Sequence, residues 1–417
     1  MAYFRSDFLN ILSERGFICH ASGLVGLDNI CSKGTITAYV GYDATASSLH
    51  VGNLLSIMML SWLQLCGHRP IVLLGGGTSL IGDPSGKSET RKLLTADDVA
   101  SNMCSISKLF EKLLDFDDSC SGAILTNNAE WLLKLNYIDF LRDVGRYFSV
   151  NKMLSFDSVR VRLEREQSIS FLEFNYMLLQ AYDFLELYHR YGCILQMGGS
   201  DQWGNMLNGI ELGRRKNGLD LFAIASPLLS NAEGVKMGKS IRGSVWLCDE
   251  FLCPYDYWQY WRNIKDEDVS KFLSLYTRLP LSEVKQLSKL GGAELNEAKK
   301  ILATEATAIV HGRKAAEIAA KTAHETFEEE TLAINLPVVQ LSKVEFGHGI
   351  SVMDAFVRAG LALSNGEVRR GVIGKAIRVN GTLVVDPTLV LADADVTMDG
   401  FVKLSYGKKR HVLLRLI

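Results

Sequence analysis

Four short stretches carry residue types suited to chemistry. The first, Leu49-His50-Val51-Gly52-Asn53, sits between a strand candidate and a helical stretch. A helix N-terminus offers unpaired N–H groups and the positive end of a dipole, which suits a phosphate. His50 there can donate to a phosphate oxygen, and Gly52 allows close backbone approach; alone, such a His serves as well as a cap. The second, Gly234-Val235-Lys236-Met237-Gly238-Lys239-Ser240, puts two lysines around a glycine. It can neutralise charge developing on a triphosphate, or be a solvated basic turn. It lacks P-loop spacing, and so does Gly82-Asp83-Pro84-Ser85-Gly86-Lys87-Ser88. In the third, Gly198 to Asn205, glycines end an apolar strand and Asp201 follows, as a ribose-binding carboxylate would. In the fourth, Tyr176, Gln180 and Asp183 stand at i, i+4 and i+7, one face of a helix in an apolar run. That face suits a small polar ligand, or a half-exposed surface.

The elements that must hold these stretches are legible from pattern. Thr35 to Tyr42 is a strand candidate, Val51 to Cys66 a helix stopped by Gly67, and Pro70 to Leu74 a second strand before Gly75-Gly76-Gly77. Gly192 to Met197 is another strand, ending at Gly198-Gly199. Apolar strands followed by Gly-rich turns and helices predict a parallel α/β sheet, with ligands at the carboxyl ends of its strands. Residues 250 to about 330 read as helical. A break around Pro337 reads as a linker, and Gly349 to Ile417 as a compact α+β module. This module is expected to have helices at Val352 to Ala359 and Asn365 to Gly371, and strands near Ile377 to Val379 and Val412 to Leu416.

In this order, the four stretches resemble the bacterial tyrosyl-tRNA synthetases, a class I aminoacyl-tRNA synthetase family, over the whole chain. Leu49 to Asn53 is similar to the HIGH-type motif and Lys236 to Ser240 to the KMSKS-type motif; Tyr39 to Asp43 and Gly198 to Asn205 resemble stretches of the tyrosine-specific members. The resemblance implies a Rossmann-like catalytic domain at 1–230, a lysine-loop connection at 231–249, a helical anticodon-binding domain at 250–335, a linker at 336–348 and an S4-like RNA-binding domain at 349–417. It implies that Tyr39 and Asp183 bind the substrate phenol, that Tyr176 and Gln180 hold its ammonium group with Asp83 nearby, and that Gly41 and Asp43 belong to the same pocket. His50, Gly52, Asn53, Gly199, Asp201 and Lys239 would contact ATP, and Lys87, Arg91, Lys236 and Lys239 would reach the pyrophosphate. Magnesium would come with ATP, without a fixed protein cage. A symmetric dimer spanned by tRNA(Tyr) is also implied. Asn53 stands where the motif has a second His, Ala44 where Pro is frequent, and Gly238 where the lysine loop has Ser. An amide at Asn53 can still donate to a nucleotide, and neither of the other two changes removes a charged group.

Composition narrows the alternatives. Of 417 residues, 47% are hydrophobic and 22% charged, as in a folded protein with a core. No apolar run has membrane-spanning length and no secretory pattern opens the chain. Eight scattered cysteines without C-x-x-C spacing read as thiols of a reducing cytoplasm. Net charge is −2, but residues 340–417 carry 11 Lys and Arg against 7 Asp and Glu, a net +4 on a body of −6. Arg369, Arg370, Lys375, Arg378, Lys408, Lys409 and Arg410 in that segment suggest RNA backbone contact. Three rivals are weaker: a tryptophan enzyme of the same fold, a scaffold with a decayed site, and a dinucleotide oxidoreductase, for which no G-x-G-x-x-G follows a strand.

Overall fold

A computed structural model describes residues 4–83, 94–229, 239–240, 243–292, 294–327, 336–342, 346, 349–397, 400–407 and 410–416. The chain forms two compact units, Met1–Phe251 with Lys265–Gly291, and Leu252–Ile264 with Gly292–Ile417.

The first unit is built on a six-stranded sheet of β1 (His20–Ala21), β2 (Thr37–Tyr42), β3 (Arg69–Leu74), β4 (Ile124–Asn127), β5 (Cys193–Gly199) and β6 (Phe222–Ser226). The order is β1-β6-β5-β2-β3-β4, parallel throughout except β1 against β6. From β2 the chain winds outward to β3 and β4, and from β5 it winds the other way to β6. The order therefore reverses between β2 and β5, where an open α/β sheet leaves a crevice. The near-continuous apolar strands, such as Ile71 to Leu74, are buried because both sheet faces are covered.

Helices α1 (Asp7–Arg15), α2 (Val51–Leu65), α3 (Phe171–Tyr191) and α4 (Trp203–Asn217) pack around this sheet. Helix α2 buries Val51, Leu54, Leu55 and Ile57 through Leu63, which explains its almost unbroken apolar sequence. Helix α3 begins at a reciprocal cap, in which Ser170 and Glu173 each bond the other's backbone, and ends at Gly192 with φ 64°. Arg162 donates to Glu173 at 3.0 Å, both side chains buried, and so ties the preceding turn to the start of α3.

Residues 265–291, expected within the helical region, belong instead to the first unit. Arg15 explains the attachment. Its buried guanidinium donates to the carbonyls of Ser274, Thr277 and Leu279 and stacks 4.3 Å from the Trp62 ring. Arg278 donates to Ser61 on α2. These bonds link residues more than 200 apart in sequence, so local pattern does not announce them.

In the second unit, α5 (Pro254–Arg262), α6 (Leu295–His311) and α7 (Arg313–Phe327) pack together. Trp258 donates to Thr304 at 3.0 Å and Lys299 to the Ile264 carbonyl at 2.7 Å. The short strands β7 (Lys239–Ser240) and β8 (Gly243–Ser244) form a hairpin in the first unit. The C-terminal module has β9 (Val338–Leu341), β10 (Ile350–Ser351), α8 (Val352–Arg358), α9 (Asn365–Ile373), β11 (Ile377–Val379), β12 (Thr382–Leu383), β13 (Val390–Leu391), β14 (Phe401–Tyr406) and β15 (Arg410–Leu416). Five strands run β12-β11-β14-β15-β9 over a core including Phe356, Leu361, Val368, Ile377, Leu404 and Leu414. The stretch read as linker, 336–348, thus contributes an edge strand. β9 pairs in parallel with β15, Val338 opposite Leu413 and Leu341 opposite Leu416. Its partner is more than 70 residues away, while Pro337 beside it looks like punctuation. Among the described residues, no helix is long and apolar enough to cross a membrane.

Replacing Arg15 by Met should leave the buried Thr277 carbonyl and two part-buried ones without their donor and cost about 2–4 kcal/mol. A lowered urea midpoint with an unchanged slope checks this; an unchanged midpoint contradicts it.

Candidate active site

The crevice between β2 and β5 collects side chains from four segments. Tyr39, on β2, is buried against Phe184 with ring centroids 5.3 Å apart. Its hydroxyl has no hydrogen-bond partner among the described residues. Asp183, on α3, is also buried. One of its oxygens accepts from Trp131 Nε1 at 2.7 Å, the other from Asn128 Nδ2 at 2.9 Å. Burial pushes the Asp183 carboxyl up to about 7, against the pull of those two donors. Burial, and then the Asp183 charge, hold the Tyr39 phenol well above its ordinary value. The result is an unpartnered hydroxyl near a carboxylate that retains acceptor capacity, in a dry pocket. A ligand bearing its own hydroxyl completes such an arrangement.

The next part of the crevice is acidic. Asp43, just after β2, accepts from Thr78 Oγ1 at 2.8 Å and from the Tyr176 hydroxyl at 3.0 Å. Burial raises the Tyr176 phenol well above its usual range, and the charges of Asp43 and Asp83 add to this. Asp83 accepts from Gln202 Nε2 at 2.7 Å. Asn205 donates to Gln180 Oε1 at 2.9 Å and to Gln202 Oε1 at 3.1 Å. Carboxylates and amide oxygens converging in this way suit an ammonium group. Gly75 makes room: a Cβ there would lie 2.3 Å from Asp43 Oδ1 and 2.5 Å from Thr78 Oγ1. A Cβ at Gly41 would meet nothing within 4 Å, which leaves open space beside β2.

At the start of α2 the structure modifies the expectation of unpaired N–H groups. Val51 N donates to Val245 O at 2.8 Å, Gly52 N to His50 Nδ1 at 3.0 Å and Asn53 N to His50 O at 2.8 Å. The first turn is capped by the protein itself, so phosphate binding here falls to side chains. Because Nδ1 accepts, Nε2 is the ring nitrogen that carries the proton of a neutral His50. Asn53 Oδ1 accepts from His50 N at 3.1 Å, which leaves its NH₂ as the donating end. The backbone at His50 also forms an antiparallel bridge with Trp246, and Leu247 N donates to Leu49 O at 2.9 Å. Two residues before that bridge, Ser244 pairs with Lys239 in the hairpin. The lysine stretch is therefore joined by backbone to the His50 turn. Across the crevice, Gly199 ends β5, and Asp201 lies half-buried in the turn Ser200–Gln202.

Of the expected site residues, Tyr39, Gly41 and Asp43 lie on β2 and just after it, His50, Gly52 and Asn53 at the start of α2, Asp83 in the loop after β3, Tyr176, Gln180 and Asp183 on α3, and Gly199 and Asp201 at the end of β5. Lys87, Arg91 and Lys236 lie outside the described residues, and Lys239 is described in its backbone only. In the C-terminal module, Arg369 and Arg370 on α9, and Lys375 after it, are exposed, and the Arg410 guanidinium lies 4.0 Å over the Tyr406 ring. Lys408 and Lys409 lie outside the described residues. Arg378 donates to Gly381 O, so its guanidinium is partly committed to a turn. Sequence reasoning missed Asn128 and Trp131. They come from the end of β4, more than 50 residues from Asp183, with no local signal. Gln202 and Asn205 sat inside a recognised stretch without an assigned role.

Comparison with known proteins agrees with this geometry. Residues 32–328 match the family model of class I tRNA synthetases (W and Y), and residues 328–414 match the tyrosine–tRNA ligase SYY-like C-terminal domain. The chain is 59% identical over 415 residues to the tyrosine–tRNA ligase of Rhizobium meliloti (strain 1021), and 58% identical to that of Brucella abortus (strain 2308). Each match covers 100% of both chains. A C-terminally truncated mitochondrial tyrosyl-tRNA synthetase of Aspergillus nidulans superposes with a TM-score of 0.69 at 29% identity, over 77% of this chain and 94% of that one. With its reversed sheet order, its crevice and matches that run the length of the sequence, the chain belongs to the tyrosine–tRNA ligase family of class I tRNA synthetases.

Proposed function

We propose that this chain joins L-tyrosine to its tRNA in two ATP-dependent steps. The observation that carries the reading is the buried, unpartnered Tyr39 hydroxyl near Asp183, which a phenol completes. Phenylalanine would leave the Tyr39 hydroxyl without a partner and Asp183 without a third donor in a dry pocket, a cost that discriminates strongly. The ammonium is assigned to Tyr176, Gln180 and Asp83, with Asp43 holding the Tyr176 hydroxyl.

The tyrosine carboxylate, already ionised at neutral pH, attacks the α-phosphorus of ATP. A C–O–P bond forms, the bond to the β-phosphate oxygen breaks, and pyrophosphate leaves. No general base is required, so the protein's work is positioning and charge neutralisation. His50, Asn53, Gly199 and Asp201 are assigned to the nucleotide, and Lys87, Arg91, Lys236 and Lys239 to the pyrophosphate. Magnesium is assigned to the ATP phosphates, as suits a hard cation that keeps several of its waters. In the second step a ribose hydroxyl at the tRNA 3′ end takes the tyrosyl group and releases AMP.

The exposed Arg369, Arg370 and Lys375, with Arg410, are assigned to the RNA backbone. A homodimer is assigned from the likeness to the family. The cytoplasm is the assigned compartment.

ATP–pyrophosphate exchange measured across the amino acids is the direct test: tyrosine should support it, and equal exchange with phenylalanine or tryptophan contradicts the pocket assignment. Tyrosine affinity should rise as pH passes through about 7 and then level off, because the Asp183 carboxylate is the form that accepts the phenol. Fold stability should move oppositely. A carboxyl raised above its usual value makes stability fall as pH rises from the ordinary carboxylate range to about 7. Trp131→Phe removes a donor to the carboxylate and should shift the binding midpoint upward; a pH-independent affinity contradicts this. Ending the chain at about residue 335 removes β9 with its sheet. Such a protein should keep pyrophosphate exchange and lose at least about tenfold in tRNA charging.

A further inference from the structure

We infer that Asn205 is a positioning residue that fixes which end of two glutamine amides faces the amino-acid pocket. This rests on the assignment of the substrate ammonium to Gln180, Tyr176 and Asp83. Asn205 is buried, on the first turn of α4, and does not belong to the acidic wall itself. Its Nδ2 has two hydrogens. One bond goes to Gln180 Oε1 at 2.9 Å, the other to Gln202 Oε1 at 3.1 Å.

A glutamine amide is nearly symmetric in shape but opposite in polarity at its two ends. Rotation by 180° turns an acceptor into a donor at no steric cost. Near an ammonium group that inversion is damaging, because an NH₂ would face three N–H donors. A single donor drawn to both Oε1 atoms removes the ambiguity at two residues at once. The relay is anchored at Asp83, whose carboxylate can only accept: Gln202 Nε2 donates to it at 2.7 Å, so Gln202 Oε1 faces Asn205, and Asn205 passes that polarity on to Gln180. With Oε1 of Gln180 fixed, its remaining lone pair stays available beside Tyr176. Asn205 thus sets the acceptor character of the ammonium subsite from behind. The phenol end, built from Tyr39, Asp183, Asn128 and Trp131, is independent of it.

The test compares two ligands that differ only at the ammonium: L-tyrosine, and 3-(4-hydroxyphenyl)propionate, which lacks it. Dissociation constants are measured by equilibrium binding for the native chain, Asn205→Ala, Asn205→Ser and Gln180→Ala. Asn205→Ala should weaken tyrosine roughly ten- to hundredfold and the desamino ligand less than about threefold. Asn205→Ser keeps a donor, though only one, and should recover part of the loss. In a Gln180→Ala background, Asn205→Ala should have a much smaller effect than alone, since its main partner is gone. The ratio of the two affinities does not depend on the fraction of folded protein, so partial misfolding does not imitate the result. Equal weakening of both ligands, or no change in either, overturns the inference. If Gln180→Ala itself leaves tyrosine binding intact, the ammonium assignment fails instead, and the two failures are told apart.

Discussion

Asp183 is a carboxylate placed where water cannot reach it, and much of the catalytic unit serves to keep it there. Desolvation alone pushes its proton affinity up, so an isolated carboxyl at that position would be neutral over most of the physiological range. Trp131 and Asn128 pull the other way by bonding one oxygen each. Both stand at the end of β4, so their position depends on β4 pairing with β3, and β3 with β2. Asn128 also donates to Thr78 and accepts from Gly77 N, which ties the loop after β3 to the same carboxylate. Thr78 in turn bonds Asp43. A continuous chain of polar contacts therefore runs from Asp183 at one end of the crevice to Asp43 and Tyr176 at its acidic end, and the sheet order supplies its geometry.

Much of this was legible in the sequence where a feature is local. The strand ending at Tyr42, the helix opening at Val51, the Tyr176-Gln180-Asp183 face and the glycines after β5 each follow from spacing and residue type within about ten positions. What stayed hidden depends on distant partners. Asn128 and Trp131 look like ordinary residues of a short loop until β4 brings them to Asp183. β9 looked like a linker because a lone four-residue strand beside a proline is defined only by its mate, β15. Residues 265–291 read as part of a helical domain because the carbonyls they offer to Arg15 leave no trace in their side chains. The turn at His50 opens a helix as its sequence suggests, but with a different arrangement: the N–H groups thought open to a phosphate are closed by Val245 and by His50 itself.

The amide network around Asn205 shows a further way in which sequence underdetermines a site. Gln180, Gln202 and Asn205 have the same functional group and differ only in which hydrogen or lone pair each commits. Their roles are set by who donates to whom, and that is a property of three-dimensional placement.

The backbone bridge between His50 and Trp246 gives the lysine stretch a fulcrum. Lys239 pairs with Ser244, and about 7 Å of extended chain separates Ser244 from the bridge at Trp246. A lever so short transmits little slack. The Lys239 backbone is thereby tied, strand by strand, to the turn that opens α2.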